Sequence, residues 1–217
     1  MKLTAFVDYI AEIAKKNHNG SKSNALTWSR THELFKLFAG NILPFGKITL
    51  KTAENFKTFL LSSPCSGNKS GTISQNTAVT YFATFKAALH QAFIDEYLTI
   101  DLSARIKSIP EQETRREYLT IEDLNILVAT PCDRPVLKNA ALFSALTGLR
   151  HCDIQKLCWK EIQIDGEQAR LNFTQQKTKG VEYMPISAQA LYFCGEPRKP
   201  NQRVFEDCPT LRGFPVL

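Results

Sequence analysis

The residues best placed to act on another molecule lie between Thr147 and Ile186. Arg150 closes the string Thr147-Gly-Leu-Arg150. Asp153 follows it at three residues, and Leu157, Trp159 and the pair Glu161-Ile162 continue the pattern. A guanidinium presents a planar fork of donors that grips two oxygens of a phosphate or carboxylate at once, and it stays charged at any relevant pH. Asp153 stands one helical turn beyond Arg150, close enough for its carboxylate to fix the guanidinium. Further on, Gln176-Lys177-Thr-Lys179-Gly180 is followed by Met184-Pro185-Ile186, which sets two lysines at a turn between short apolar runs. Each residue alone has an ordinary reading. An arginine just past a helix end neutralises the C-terminal dipole, a turn lysine is solvated, Asp153 is a helix-surface charge, and His151 packs or hydrogen-bonds. Only the complete string argues for chemistry.

The elements that must position these groups are legible from periodicity. Leu3, Phe6, Val7, Ile10, Ile13 and Ala14 follow the three-four spacing of one helical face. A second periodic run, Ala25 to Phe38, stops at Gly40, and Thr49 can cap a third helix through Phe56, Phe59 and Leu60. The stretch SSPCSGNKSG reads as an exposed, mobile loop. Ser74 can cap the longest helix, with Ala78, Tyr81, Phe82, Phe85, Leu89, Ala92 and Phe93 as its core face. Thr120 and Asp123 resemble a capping box, and a further helix runs from about Pro135 to Leu146 and ends at Gly148. Beyond it the period changes to that of strands: Ile162–Ile164, the turn pair Asp165-Gly166, Ala169–Thr174 and Val181–Ile186. Ser187 opens one more short helix, and no period is readable from Gly195 onward. The spacing predicts a mainly α protein with a small antiparallel β-sheet: a four-helix domain over 1–102, an exposed charged linker over 103–117, and an α+β unit over 118–217.

Composition narrows the partners. The net charge is +6, and residues 1–110 hold thirteen Lys/Arg against seven Asp/Glu while the rest of the chain is balanced, so the whole excess sits in the first half. A basic half suits a polyanion such as nucleic acid, because Lys and Arg contacts to phosphate dominate that affinity; a solubilising surface is the alternative. Six cysteines form no C-x-x-C pair and four histidines show no zinc-ligand spacing, so no metal site is expected. With no apolar run of about eighteen residues and no signal-peptide core, the sequence reads as soluble and cytoplasmic, without a membrane partner.

Four helices, a linker, two helices, and then Thr147-Gly-Leu-Arg150-x-x-Asp153 with Leu157 and Trp159 resemble the tyrosine recombinases, the phage-type integrases. The resemblance implies a SAM-like core-binding domain followed by part of a catalytic domain. It implies double-stranded DNA at a recombination site as the partner, together with other recombinase protomers, since the family works as tetramers. In such enzymes a tyrosine attacks a phosphodiester and becomes joined to a 3′-phosphate, with neither metal nor ATP. By this resemblance Arg150 would hold the non-bridging oxygens and Asp153 would support it. Lys177 would give the leaving 5′-oxygen its proton, with Lys179 the second choice. DNA contacts would come from Lys22, Ser23, Thr27 and Arg30 on the second helix and Gln75, Asn76, Thr77, Thr80 and Lys86 on the fourth. The resemblance also implies a His-x-x-Arg pair, a later His or Trp and the nucleophilic tyrosine beyond the lysine hairpin. The last histidine of the chain is His151, and Tyr183 and Tyr192 come too early. The 217 residues are therefore expected to lack the nucleophile and to be inactive in strand transfer alone, serving as a fragment of such an enzyme, a competing DNA-binding module or a remnant. Leu191, Tyr192 and Phe193 are expected to be partly uncovered.

Overall fold

The computed structural model describes residues 3–16, 22–65, 70–115, 117–166, 168–175 and 180–208, with Lys22 described by its backbone only. The chain divides into two compact units at 115/116. The first is built on α1 (Phe6–Lys16), α2 (Lys22–Ala39), α3 (Leu50–Ser62) and α4 (Gln75–Ile94). The local chemistry sets their ends. Thr49 and Thr52 form a reciprocal capping box at the start of α3, and the Ser74 hydroxyl accepts from the Thr77 amide at the start of α4. Phe35 of α2 is fully buried at the centre of the bundle. Its ring lies 5.5 Å from Phe6 of α1, 5.0 Å from Phe56 of α3 and 5.1 Å from Phe85 of α4. One side chain thus joins all four helices.

Two expectations are corrected here. Phe93, placed in the core by its spacing, is 39% exposed; eight residues beyond Phe85 the helix has turned about 80° from Phe85 and about 40° beyond Leu89, which puts Phe93 at the edge of the buried stripe. Most described residues of the expected linker over 103–117 are exposed, but two of its side chains are buried. Leu102–Arg105 form the short helix α5, and Ile106 and Ile109 are buried in the first core. The charged stretch around them hides a pair of apolar anchors three positions apart. The SSPCSGNKSG loop is pinned at its base, where Ser63 is buried, Pro64 pairs with Thr72 and the Cys65 amide donates to the Gly71 carbonyl at 2.9 Å. Residues 66–69 lie outside the described residues.

The second unit contains α6 (Ile121–Ala129), α7 (Pro135–Thr147), α8 (His151–Ile154) and α9 (Ala188–Cys194). Its sheet is β1 (Ile162–Asp165), β2 (Gln168–Thr174) and β3 (Val181–Ile186), antiparallel in the order β1-β2-β3. The alternation along β2 buries Ala169, Leu171 and Phe173 and turns Arg170 and Thr174 outward. The Thr120–Asp123 capping box and the Ser187 cap are both formed. Part of the tail without readable period is packed: Cys158 pairs with Arg203, Val204 and Phe205 are buried, and the Phe205 ring lies 5.3 Å from Phe143. Of the three residues expected to be uncovered, Tyr192 is exposed, Leu191 is half-buried and Phe193 is buried. Residues 209–217 lie outside the described residues. Among the described residues no helix is long and apolar enough to cross a membrane, and no three His, Cys, Asp or Glu side chains gather as a metal site.

Each unit carries one tryptophan, Trp28 in the first and Trp159 in the second, so each can be followed separately. Phe35→Ala in a Trp159→Phe background should destabilise the first unit by about 3–5 kcal/mol, the usual cost of emptying a buried aromatic site; denaturant titration read through Trp28 fluorescence measures it. A second expectation concerns pH. The Tyr9 hydroxyl donates to Asp95 Oδ2 at 2.7 Å and Gln91 donates to Oδ1 at 2.9 Å, and these bonds hold the Asp95 carboxyl below the usual carboxylate range. A lowered folded-state pKa gives stability that is present above the ordinary carboxylate value and is lost as pH falls through the lowered one. The stability advantage of the parent over Tyr9→Phe should therefore shrink across that acidic window in titrations repeated at stepped pH.

Candidate functional site

The Thr147-Gly-Leu-Arg150 string forms a corner between α7 and α8. Gly148 takes a left-handed conformation at φ 70°, and its amide donates to the Ser144 carbonyl at 2.8 Å, which ends α7. Leu149 drops into the second core, and the Ser144 hydroxyl donates to the Leu149 carbonyl at 2.8 Å. The Thr147 hydroxyl ties back to the Phe143 carbonyl at 2.7 Å. With Leu149 committed inward, Arg150 is turned out. It caps α8 with its backbone carbonyl, which accepts from the Asp153 amide at 2.8 Å and the Ile154 amide at 3.0 Å, while its side chain is exposed.

The guanidinium is not loose. Arg150 Nη1 donates to Gln175 Oε1 at 2.9 Å, and Gln175 Nε2 donates in turn to Glu182 Oε1 at 2.9 Å. Gln175 stands just past the end of β2, where its amide donates to the Gly180 carbonyl at 2.8 Å and closes the β2–β3 turn. A second strut runs beside the first: Lys156 donates to the Thr174 carbonyl and lies 3.6 Å from Asp153 Oδ1. Asp153 is 1% exposed. The carboxylate expected to fix Arg150 faces Lys156 instead, and an uncharged amide holds the arginine. Position explains the difference, because α8 is a single turn whose first residues point Asp153 into the unit while Arg150 precedes it as the cap. Lys177 and Lys179, the two candidate proton donors, lie outside the described residues, between Gln175 and Gly180. Next to the corner, His151 Nε2 sits 4.0 Å from Cys208 Sγ, and burial pushes the Cys208 thiol up, which keeps it protonated.

In the first unit the candidates part into two groups. Ser23, Thr27 and Arg30 of α2 line one shallow hollow with Ser29 and Tyr81. Arg30 Nη1 there donates to Glu33 at 2.8 Å, an exposed pairing of small worth that a phosphate could replace. The side chain of Lys22 lies outside the described residues. On α4 the candidates are engaged within the protein. Asn76 accepts from the Gln112 amide and donates to the Gln112 carbonyl, both at 2.8 Å, and Gln75 donates to the Pro110 carbonyl at 2.7 Å. Lys86 donates to the Ile106 carbonyl at 2.8 Å and to the Ser108 hydroxyl at 3.2 Å. Thr77 belongs to the Ser74 cap and Thr80 bonds the Asn76 carbonyl at 3.1 Å. Gln75, Asn76 and Lys86 thus clasp residues 106–112 to the bundle. Sequence reasoning missed Gln175, Glu182 and Lys156. Of these only Lys156 left a local signal, an acid–base pair with Asp153 at i, i+3.

Three comparisons bear on this geometry. The phage integrase SAM-like domain family matches residues 5–108. No curated protein sequence matches the chain. Among solved structures the chain resembles a lambda integrase dimer bound to a COC′ core site, at 17% identity and TM-score 0.65 over 91% of this chain and 56% of that one. It also resembles a lambda integrase tetramer bound to a Holliday junction, at 18% identity and TM-score 0.60 over 86% and 52%. A third likeness is to a Tn1549 transposon integrase in complex with circular-intermediate DNA, at 14% identity and TM-score 0.66 over 96% and 70%. At these identities the likeness is one of fold, and the chain spans little more than half the length of the lambda chains.

The clasp can be tested by itself. Asn76→Ala removes both bonds to Gln112, and hydrogen exchange at the Gln112 amide should accelerate while the amides of α4 from Phe82 onward keep their protection. A loss of about 0.5–1.5 kcal/mol per deleted bond is the usual scale, and an unchanged Gln112 exchange rate would show that the clasp holds nothing.

Proposed function

We propose that the chain is one of the tyrosine recombinases, the phage-type integrases, as the SAM-like domain match and the shared fold support, and that it binds double-stranded DNA at a recombination site of a mobile element and supplies part of the strand-exchange chemistry. The observation that carries this reading is the placement of Arg150: exposed, yet fixed by Gln175 at the base of the turn that holds Lys177 and Lys179. Its partner is a neutral amide, so the guanidinium keeps its whole charge for a ligand. In the chemistry proposed, a tyrosine hydroxyl attacks the DNA phosphorus, negative charge gathers on the two non-bridging oxygens, and Arg150 meets them with parallel hydrogen bonds. The departing 5′-oxygen takes a proton from a lysine of the turn, Lys177 by first choice and Lys179 by second. The supporting role of Asp153 is indirect in this reading. Its buried carboxylate keeps Lys156 directed at Thr174, which steadies the β2 end beside the arginine. In the first unit Ser23, Thr27 and Arg30 offer a polar hollow of a size and chemistry suited to phosphate and base-edge contacts, and other recombinase protomers would complete the assembly on DNA.

A duplex titration by fluorescence anisotropy at several salt concentrations tests the proposal. Binding should be sequence-independent at first approach, with dissociation constants on the order of 10⁻⁴–10⁻⁶ M at physiological salt. Arg30→Ala and Arg150→Ala should each lower the slope of log affinity against log salt by about one unit. Lys86→Ala should leave the slope unchanged, since its ammonium is turned to the Ile106 carbonyl and the Ser108 hydroxyl. Absence of binding even at low salt would overturn the reading, and a slope that falls for Lys86→Ala but not for Arg30→Ala would reverse the assignment of the DNA-facing helix.

A further inference from the structure

We propose that Gln175 is a positioning residue that locks the Arg150 guanidinium to the end of β2 and, through Glu182, to β3. The inference rests on the functional reading above but is argued from geometry of its own. An exposed arginine ordinarily samples many rotamers. Here Nη1 is held at 2.9 Å by Gln175 Oε1, and the same amide is held from its other side by Glu182 on β3. The two partners fix the polarity of the amide. Its oxygen must face the guanidinium and its nitrogen the carboxylate, because the reverse orientation would set donor against donor and acceptor against acceptor. The backbone of the same residue closes the turn through its 2.8 Å bond to Gly180. Gln175 thus joins Arg150 to the strand ends by side chain and backbone together, and the Lys156 bond to Thr174 braces the preceding position from α8. The choice of an amide also has a chemical logic. A carboxylate at position 175 would hold the arginine more tightly but would neutralise the charge that a phosphate has to meet.

The test uses the whole chain and three variants. In the parent, nitrogen-15 NMR of the arginine side chains should show Arg150 with resolved Nη resonances from slowed guanidinium rotation, assigned by their loss in Arg150→Lys. Gln175→Ala should collapse that signature. The exchange Gln175→Glu with Glu182→Gln preserves both hydrogen bonds with their direction reversed between 175 and 182, and it should restore the signature even where the alanine variant is poorly folded. A purely structural role for Gln175 would not respond to that swap. DNA binding then separates this inference from the functional reading. Gln175→Ala, which leaves the arginine charge in place, should weaken binding with little change in the salt slope, whereas Arg150→Ala lowers the slope by about one unit and Gln175→Ala added to it should weaken binding no further. Persistence of the Arg150 signature in Gln175→Ala, or its absence from the swapped pair, overturns the positioning role. A signature that collapses and is restored as expected, with a salt slope indifferent to Arg150→Ala, upholds the positioning role and refutes the phosphate contact instead.

Discussion

Arg150 has no core to lean on, and everything at the candidate site depends on the corner behind it. Gly148 adopts a positive φ that lets α7 end within one residue, Leu149 is driven into the second core, and the next side chain in the string has only the outward direction left. The orientation of the guanidinium is thus set by the hydrophobic effect acting on its neighbour. A residue with a Cβ at 148 would be strained in that left-handed conformation even though the space around it is open. The corner explains why arginine and leucine stand side by side in the string: one anchors, the other is presented.

Opposite the corner, a short sheet supplies the fixed frame. The β2–β3 ladder sets Thr174 against Val181 at its last pair, and beyond it Gln175 closes the turn. Side chains of the arginine segment reach this stem at two successive residues, Arg150 to Gln175 and Lys156 to Thr174. Two polar struts between a one-turn helix and a strand end are modest in energy, since each is partly solvated. Their effect is geometric. They restrict where a cation can sit while leaving its charge free for a ligand.

The first unit solves a different problem, how to keep a basic surface available on a bundle held by aromatic rings. Phe35 gathers the other three helices about itself, which leaves the polar faces of α2 and α4 outside the core. The two faces then diverge in use. That of α4 holds the chain running from α5 toward the second unit, with Asn76 pairing to Gln112 as a strand neighbour would. That of α2 keeps Ser23, Thr27 and Arg30 together beside Tyr81. A count of positive charge over the first half does not separate a lysine spent on an internal carbonyl from one left to solvent, and Lys86 is of the first kind.

What the sequence determined by itself was whatever depends on neighbours within about one turn or one hairpin. The caps at Thr49, Ser74, Thr120 and Ser187, the stop at Gly148, the three strands and the arginine string are all local, because a hydroxyl three residues from an amide, or an apolar residue at every second position, carries its partner within the same short window. Tertiary structure decided whatever depends on which surfaces meet. Ile106 and Ile109 look like strays in a charged stretch until the bundle offers them a groove, and Phe93 looks like core until the rotation of α4 carries it to the edge of the buried stripe. The Arg150–Gln175 pair spans 25 positions with no periodic signal between them. Asp153 was the nearer carboxylate in the sequence, and its burial in the fold gave the arginine to an amide on another element. Short-range geometry is written in residue order; the choice of a distant partner is made by the packing of the cores, which fixes the few directions in which a polar side chain can reach.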